Sequence, residues 1–326
     1  MPVQFARREF LAGMVAMTAA KAGSRFAPAS PFDPAGSSSP FRVSVINDEI
    51  SQDFGRACEV ASREYGMGWI ELRGMWKKNI VKLDEKEVAE ARRIIEKFQL
   101  KVTDIASPLF KVDWPGAPKS KFSEAKSFNA DFDFKQQDEV LERAMDLAKA
   151  FQTDRVRCFD FWRLEDQASY RAAIDDKLRD ATAKAAKKGI ILVLENESAC
   201  NTATAAESAK VLSAVQSPSF MLNWDPGNAA AAGDIPYPDG YNLLPKDRIG
   251  HCHCKDFVKT KTGKGDWAPM GGGIVDWAGQ FKALKRDGYH FAVSLETHWS
   301  GGGTPEECSR KSWAGMKTLL QQADAL

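Results

Sequence analysis

Between residues 41 and 326 the chain repeats one alternation eight times: a short apolar or β-branched run, then a stretch with helical periodicity. The runs at 42–47, 69–73, 102–107, 155–160, 190–196, 220–225, 249–254 and 291–296 predict strands. Helices are predicted between most of them. Residues 84–98 open with Asp84 and Glu87 in capping-box spacing, and Val88, Ala91, Ile95 and Phe98 share one face. Residues 137–151 place Val140, Leu141, Ala144, Leu147, Ala148 and Phe151 on one side. Residues 166–188, 203–215, 276–287 and 304–323 behave likewise, and the pattern is weakest after the first and sixth strands. Strands alternating with helices imply parallel βαβ units. Eight units in a domain of this length fit the α/β class and a closed (β/α)8 TIM barrel. The alternative is an open doubly wound sheet. Its nucleotide-binding version lacks the G-x-G-x-x-G that should follow the first strand.

Two connections are long. Residues 112–136, with Trp114 and Pro115, follow the third strand, and residues 255–275, with Gly271-Gly272-Gly273, follow the seventh. Structureless connections of this length in a compact domain are usually functional lids, and both fall on the face where barrel active sites sit.

The first residues do not read as fold. Arg7-Arg8 precedes a short apolar run, Phe10 to Ala20, that is too short to span a bilayer. Ala20-Lys21-Ala22 follows as an A-x-A-like cleavage site. This resembles a twin-arginine export signal. The expected organisation is a signal peptide over 1–22, a Ser/Pro/Gly/Ala-rich flexible linker over 23–40, and one TIM-barrel catalytic domain over 41–326. The expected location is periplasmic or extracellular in a bacterium, with no stable membrane association after export.

Lys plus Arg number 45 and Asp plus Glu 44, a formal net charge of +1. That balance supplies no electrostatic footprint for nucleic acid or an anionic membrane. Six cysteines stand at irregular spacings, so nothing requires a disulfide framework, although an oxidising compartment would permit one.

The chemistry gathers at the ends of the last four strands. The fifth ends Leu194-Glu195-Asn196-Glu197, and the sixth Asn223-Trp224-Asp225-Pro226-Gly227-Asn228. The seventh reads His251-Cys252-His253-Cys254-Lys255-Asp256, and the eighth ends Leu295-Glu296-Thr297-His298. One carboxylate at a strand end is unremarkable. Carboxylates converging on one barrel mouth would repel one another, and a divalent cation removes the conflict while an imidazole completes the set. The His-Cys-His-Cys run does not make a zinc cluster while it remains a strand, because successive side chains point to opposite faces. His251, His253 and Lys255 share one face, and Cys252 and Cys254 share the other. A site of mostly hard oxygen favours Mn²⁺, with Mg²⁺, Co²⁺ and Zn²⁺ also compatible.

These motifs in this order resemble the sugar phosphate isomerase/epimerase family, the xylose isomerase-like TIM barrels that include ketose 3-epimerases and inosose dehydratases. The resemblance runs over essentially all of 41–326. It is carried by Glu71-Leu72-Arg73, Leu194-Glu195-Asn196, Trp224 to Asn228, His253 to Asp256, Gly271 to Trp277, and Leu295-Glu296. It implies one divalent ion held by Glu195, Asp225, His253 and Glu296, with Glu195 and Glu296 also acting as bases on opposite faces of the substrate. Two departures stand out: Asn228 occupies the place of an epimerase histidine, and no arginine matches the one that follows the metal histidine. Lys255 shares the His253 face and is expected to stabilise a developing oxyanion. Glu71, Arg73, Glu197, Asn228 and His298 are the candidate substrate contacts, Glu71 and Arg73 being equally readable as an internal ion pair. His251 is expected to support the site without ligating. Trp114, Trp162, Trp224, Trp267 and Trp299 fall near strand ends or in the long connections.

The expected activity is isomerisation or epimerisation of a free, non-phosphorylated sugar or keto-sugar by proton transfer through an enediolate. The alternative is a lyase or dehydratase acting on a keto-sugar, keto-glycoside or inosose at the same metal site. An abasic-site endonuclease, which needs a histidine-rich multi-metal centre and a basic surface, is disfavoured by the four histidines and the charge balance. A sugar-binding barrel without turnover stays open. The expected partner is a small carbohydrate and not a nucleic acid. Homo-oligomerisation is undecided by the residues.

Overall fold

The computed structural model describes residues 39–123, 132–259 and 265–326. The segment expected to be the export signal lies outside these residues. The eight expected strands are present: β1 (Arg42–Val45), β2 (Trp69–Leu72), β3 (Lys101–Leu109), β4 (Arg155–Cys158), β5 (Ile191–Glu195), β6 (Phe220–Trp224), β7 (Ile249–Cys254) and β8 (Ala292–Leu295). They form one sheet in the order β1-β8-β7-β6-β5-β4-β3-β2, every pairing parallel. A parallel bridge between Ile46 and Glu71, just past β1 and on β2, brings the two edges together and nearly closes the barrel. Closure removes the exposed edges of an open sheet, and the doubly wound alternative falls with it.

Helices follow each strand: α1 (Phe54–Glu59), α2 (Glu85–Lys97), α3 (Gln137–Ala150), α4 (Arg171–Lys187), α5 (Ala205–Ala214), α6 (Pro226–Ala231), α7 (Trp277–Arg286) and α8 (Pro305–Gln322). The capping box at Asp84 and Glu87 forms as expected: Asp84 accepts from the backbone of Lys86 and Glu87, and Glu87 accepts from the backbone of Asp84. This satisfies donors that every helix start leaves unpaired. Val88, Ala91 and Ile95 of α2 are buried on the expected face. The two weakly patterned helices, α1 and α6, are short, six residues each.

The connection after β7 departs from expectation. It contains an antiparallel hairpin, Asp256–Lys259 paired with Gly265–Ala268, where a structureless lid was predicted. Asp256 locks the hairpin to the following turn by accepting from the backbone N–H groups of Phe257, Gly271, Gly273 and Val275. In the connection after β3, residues 124–131 lie outside the described residues. Cys252 and Cys254 join the apolar core as the strand alternation predicts, and all six cysteines are free, buried thiols. Among the described residues, no helix is long and apolar enough to cross a membrane.

Candidate metal centre

Glu195 closes β5, Asp225 follows β6, His253 lies within β7 and Glu296 follows β8. Parallel strands end on the same rim, so four neighbouring strands deliver their terminal side chains to one place. One ligand-type atom from each of these residues falls within 4.8 Å of the others, and all four side chains are buried. His253 Nδ1 is 3.3 Å from Glu195 Oε1, 3.3 Å from Glu296 Oε2 and 3.8 Å from Asp225 Oδ2.

Local structure explains the aim of each group. Asp225 caps α6, its Oδ1 accepting from the backbone of Asn228 at 2.8 Å, which turns Oδ2 towards the cluster. Pro226 at the first helical position suits that start. Gly227 lets α6 approach the end of β7: a Cβ there would stand 2.7 Å from both Cγ and the carbonyl oxygen of Lys255. His253 is oriented from behind, its Nε2 lying 2.9 Å from Glu71 Oε1. The second oxygen of Glu71 lies 3.1 Å from His251 Nε2. Glu71, expected at the substrate, is therefore fully buried behind His253. Its position inside the wall, between two imidazoles, is the physical reason it does not face the cavity. Nor does it pair with Arg73, which binds Asp48, Glu49 and Glu296 instead.

Two of the atoms facing the common point make no hydrogen bond although buried: His253 Nδ1 and Asp225 Oδ2. Orphaned buried acceptors are costly unless something satisfies them. Three carboxylates and an imidazole nitrogen are a donor set suited to a divalent cation, so the residues present fit one. Glu71 fits too, because a ligating histidine usually gives its other ring nitrogen to a carboxylate.

The electrostatics are those of a dense buried network. Burial pushes Glu195 up, but His253 and Arg157 outweigh it and hold the carboxyl down at about 2. Glu296 is likewise held well below the carboxylate range, Lys255 leading the opposition to burial. Asp225 goes the other way: burial, with the Glu195 and Glu296 charges, pushes it up to about 7 despite Lys255. His253 is raised well above the usual imidazole value because Glu71, Glu195 and Glu296 overcome its burial. Lys255 Nζ sits 2.6 Å from Glu296 Oε2 and 2.9 Å from Asp225 Oδ2, the latter contact lacking hydrogen-bond alignment.

A cavity of about 400 Å³ opens above the cluster. Glu195, Glu296, Arg73, Lys255, Asn228, His298 and Glu197 line it. Asn228 Nδ2 donates to Glu195 Oε1 at 3.1 Å. His298 holds a left-handed backbone (φ 46°), and its N–H donates to Glu49. A non-glycine residue in that region at a cavity mouth is the kind of strain that concentrates at functional sites.

Sequence reasoning missed Lys111 and Arg157. Lys111 pairs with Glu197 at 2.6 Å. Arg157, fully buried on β4, reaches Glu195 Oε2 at 3.1 Å and the carbonyl oxygens of Ala106 and Ser107. A charged residue in a strand buried on both faces was the available signal, since such strands are normally apolar throughout.

No curated protein matches the chain. Among solved structures, the chain is similar to the IolI protein with bound zinc (TM-score 0.68, 15% identity, 88% of this chain and 99% of that one). It is also similar to the probable 3-DHS dehydratase AsbF of Bacillus anthracis (0.64, 19%, 86% and 98%). A third similar structure is D-allulose 3-epimerase from Methylomonas sp. in complex with D-allulose (0.62, 18%, 87% and 98%). At these identities the likeness establishes the fold alone. The model of the xylose isomerase-like TIM barrel matches residues 60–319, which is most of the sequence, and the chain belongs to that family.

Proposed function

We propose that the protein is a metal-dependent isomerase or epimerase of a free, non-phosphorylated sugar or keto-sugar, working by proton transfer through an enediolate. The observation that carries this reading is the convergence of Glu195, Asp225, His253 and Glu296 under a cavity. These four are the ligands in this reading, with Mn²⁺ the preferred ion. When bound, a divalent ion would acidify the C–H between a carbonyl and its neighbouring hydroxyl. Glu195 and Glu296, one on either side of His253, then take and return the proton. Return to the same carbon on the other face epimerises, and return to the neighbouring carbon isomerises. The Lys255 ammonium stabilises the developing oxyanion. Arg73, Glu197, Asn228 and His298 contact the substrate hydroxyls, and Glu71 holds His253 in position.

The charge pattern of the cavity supports an unphosphorylated substrate. Its arginines and lysines are engaged by carboxylates: Arg73 by three, Lys111 by Glu197, Arg157 by Glu195, and Lys255 by Asp225 and Glu296. A phosphate, bearing about −1.5 to −2 charges at neutral pH, would have to displace one of those partners.

Elimination is the second reading. It is favoured by Lys255 Nζ and His298 Nδ1 standing 3.4 Å apart beside Glu296, two polar groups on one side that could hydrogen-bond a leaving oxygen. The test is metal analysis of the purified protein, then incubation with free sugars and 3-keto sugars in D₂O, followed by mass spectrometry and NMR. Isomeric products are expected, changed in mass only by the deuterium taken up from solvent. Loss of water or of an aglycone selects elimination, and a metal-replete protein that turns over no sugar overturns both readings.

A further inference from the structure

One ion pair in the cavity has no part in the proton transfer proposed above. Lys111 Nζ stands 2.6 Å from Glu197 Oε2, and both residues line the cavity. Among the described residues this is the one hydrogen bond that either side chain makes. An ammonium has three N–H groups and a carboxylate has two oxygens, so the pair keeps donors on one side and an acceptor, Oε1, on the other. The two side chains are only 10% and 21% exposed.

The pair is held by a built frame. The segment after β4 zips the end of β3 to the turn after β5. On one side, the N–H groups of Phe159, Phe161 and Trp162 donate to the carbonyls of Leu109, Phe110 and Val112. On the other, Arg163 and Asn201 exchange backbone bonds with Ala199 and Phe161, and Trp162 bridges Cys200. Lys111 rides on the first side and Glu197 opens the turn on the second. Phe110 and Phe161 both hold left-handed backbones (φ 64° and 71°), which bulky residues rarely adopt. Their buried rings pack 5.1 Å apart, and the N–H of Phe110 is bound by Gln137 Oε1. Strain of this kind concentrates where a side chain must be aimed. The buried Phe159 ring lies 4.5 Å from Lys111 Nζ and 4.9 Å from the Arg157 guanidinium. Arg157 holds Glu195, so the Lys111–Glu197 pair stands next to the one that fixes a candidate metal ligand.

We propose that Lys111 and Glu197 together read a vicinal diol on the substrate, carried on carbons beyond those that react. A hydroxyl both donates and accepts. The ammonium gives an N–H to one hydroxyl oxygen while Glu197 Oε1 accepts from its neighbour, and adjacent hydroxyl oxygens are spaced much as the two atoms of the pair are. A carboxylate or phosphate at that position would meet the Glu197 charge, so the pair selects neutral polyol ends. The inference rests on reading the cavity as a carbohydrate site, and it adds Lys111 to the residues that set specificity.

The test uses full-length, metal-loaded protein and three ketoses: D-xylulose, L-erythrulose and dihydroxyacetone. All share a carbonyl flanked by hydroxyl-bearing carbons. Beyond these xylulose carries two adjacent hydroxyls, erythrulose one and dihydroxyacetone none. Binding is read by calorimetry, or as kcat/KM for a probe that turns over. The wild type should prefer xylulose to erythrulose, and erythrulose to dihydroxyacetone. Lys111→Met should weaken xylulose roughly 10- to 100-fold and leave dihydroxyacetone unchanged. That change strands the Glu197 charge, so Lys111→Met/Glu197→Leu, which removes both ends of the pair, serves as the second variant. It should keep the wild-type metal affinity and lose the preference for xylulose. A wild type that binds xylulose no better than erythrulose would overturn the proposal, as would a preference that survives in the double variant. Either result beside turnover of a sugar leaves the reaction proposed above intact. A preference that depends on the pair, without turnover of any sugar, defeats that reaction and leaves this inference standing. Binding of none of the three probes overturns both.

Discussion

Nε2 of His253 lies 2.9 Å from Oε1 of Glu71, two fully buried side chains separated by 182 positions in the chain. The contact decides which ring nitrogen faces the cluster. With Nε2 given to a carboxylate, Nδ1 is the nitrogen turned to Glu195, Asp225 and Glu296. A carboxylate in that place also raises the basicity of the ligating nitrogen. Glu71→Gln keeps the shape and removes the charge, so metal affinity should fall about 10–100-fold. Metal titration followed by mass spectrometry or calorimetry reads this directly, with circular dichroism checking the barrel. Unchanged affinity in a folded variant would show that Glu71 is only a packing partner.

The same cluster makes metal binding pH-dependent. Ligands bind an ion only when deprotonated, so protons compete with it. In the ion-free protein Asp225 is pushed up to about 7, burial being the main cause, and His253 is raised well above the usual imidazole value by the carboxylates around it. Both shifts act in one direction: as pH falls through about 7, protons hold these sites more firmly and the ion is lost more readily. Apparent affinity should therefore rise with pH across neutrality, by up to about tenfold per unit for each proton displaced. Calorimetry in two buffers of different ionisation enthalpy should register proton release on binding. A flat affinity between pH 6 and 8 would contradict this account.

How much of this was legible in the sequence follows from the range of the interactions. The eight strands were legible because a parallel strand is apolar along its whole length and its helix carries a 3.6-residue period, both of them local signals. The ends of β5, β6, β7 and β8 were legible because a carboxylate or imidazole after an apolar run is itself a local anomaly. The role of Glu71 was not, since it depends on a partner across the barrel at His253. Arg73 was equally opaque: its carboxylates come from Asp48 and Glu49 after β1 and from Glu296 after β8, and only closure unites them. The Asp256–Ala268 hairpin was hidden because its strands are four residues each and short in apolar alternation.

Export is a separate proposal, carried by residues outside those the structure describes. Arg7 and Arg8 directly precede the apolar run and the Ala20-Lys21-Ala22 site. Replacing both arginines by lysine preserves the charge and removes the pair that a twin-arginine transporter reads. The protein should then accumulate in the cytoplasm, as fractionation and immunoblotting would detect. Undiminished delivery outside the cytoplasm would dispose of the twin-arginine reading.

The mechanism is tested most sharply at Glu296. Arg73 Nη1 holds its Oε1 at 2.8 Å and Lys255 Nζ its Oε2 at 2.6 Å, so the carboxyl is fixed in place and kept ionised. A base held so far below neutrality is weak, and it can act only on a C–H acidified by the ion it helps to bind. Glu296→Gln retains the shape and an oxygen for the ion but cannot accept a proton at neutral pH. With metal in excess, turnover should fall about 10²–10⁴-fold while the barrel stays folded. Glu195→Gln should behave alike if two carboxylates work the two faces of the substrate, although Glu195 loses its Arg157 charge pair as well. Solvent deuterium is the finer probe. Wild-type protein in D₂O should place deuterium on the carbon beside the product's carbonyl when the enediolate is reprotonated. A hydride shift between carbons would leave that position unlabelled and take the base role from both glutamates. The clustering of Glu195, Asp225, His253 and Glu296 would survive such a result, because its geometry stands independently of which hydrogen moves.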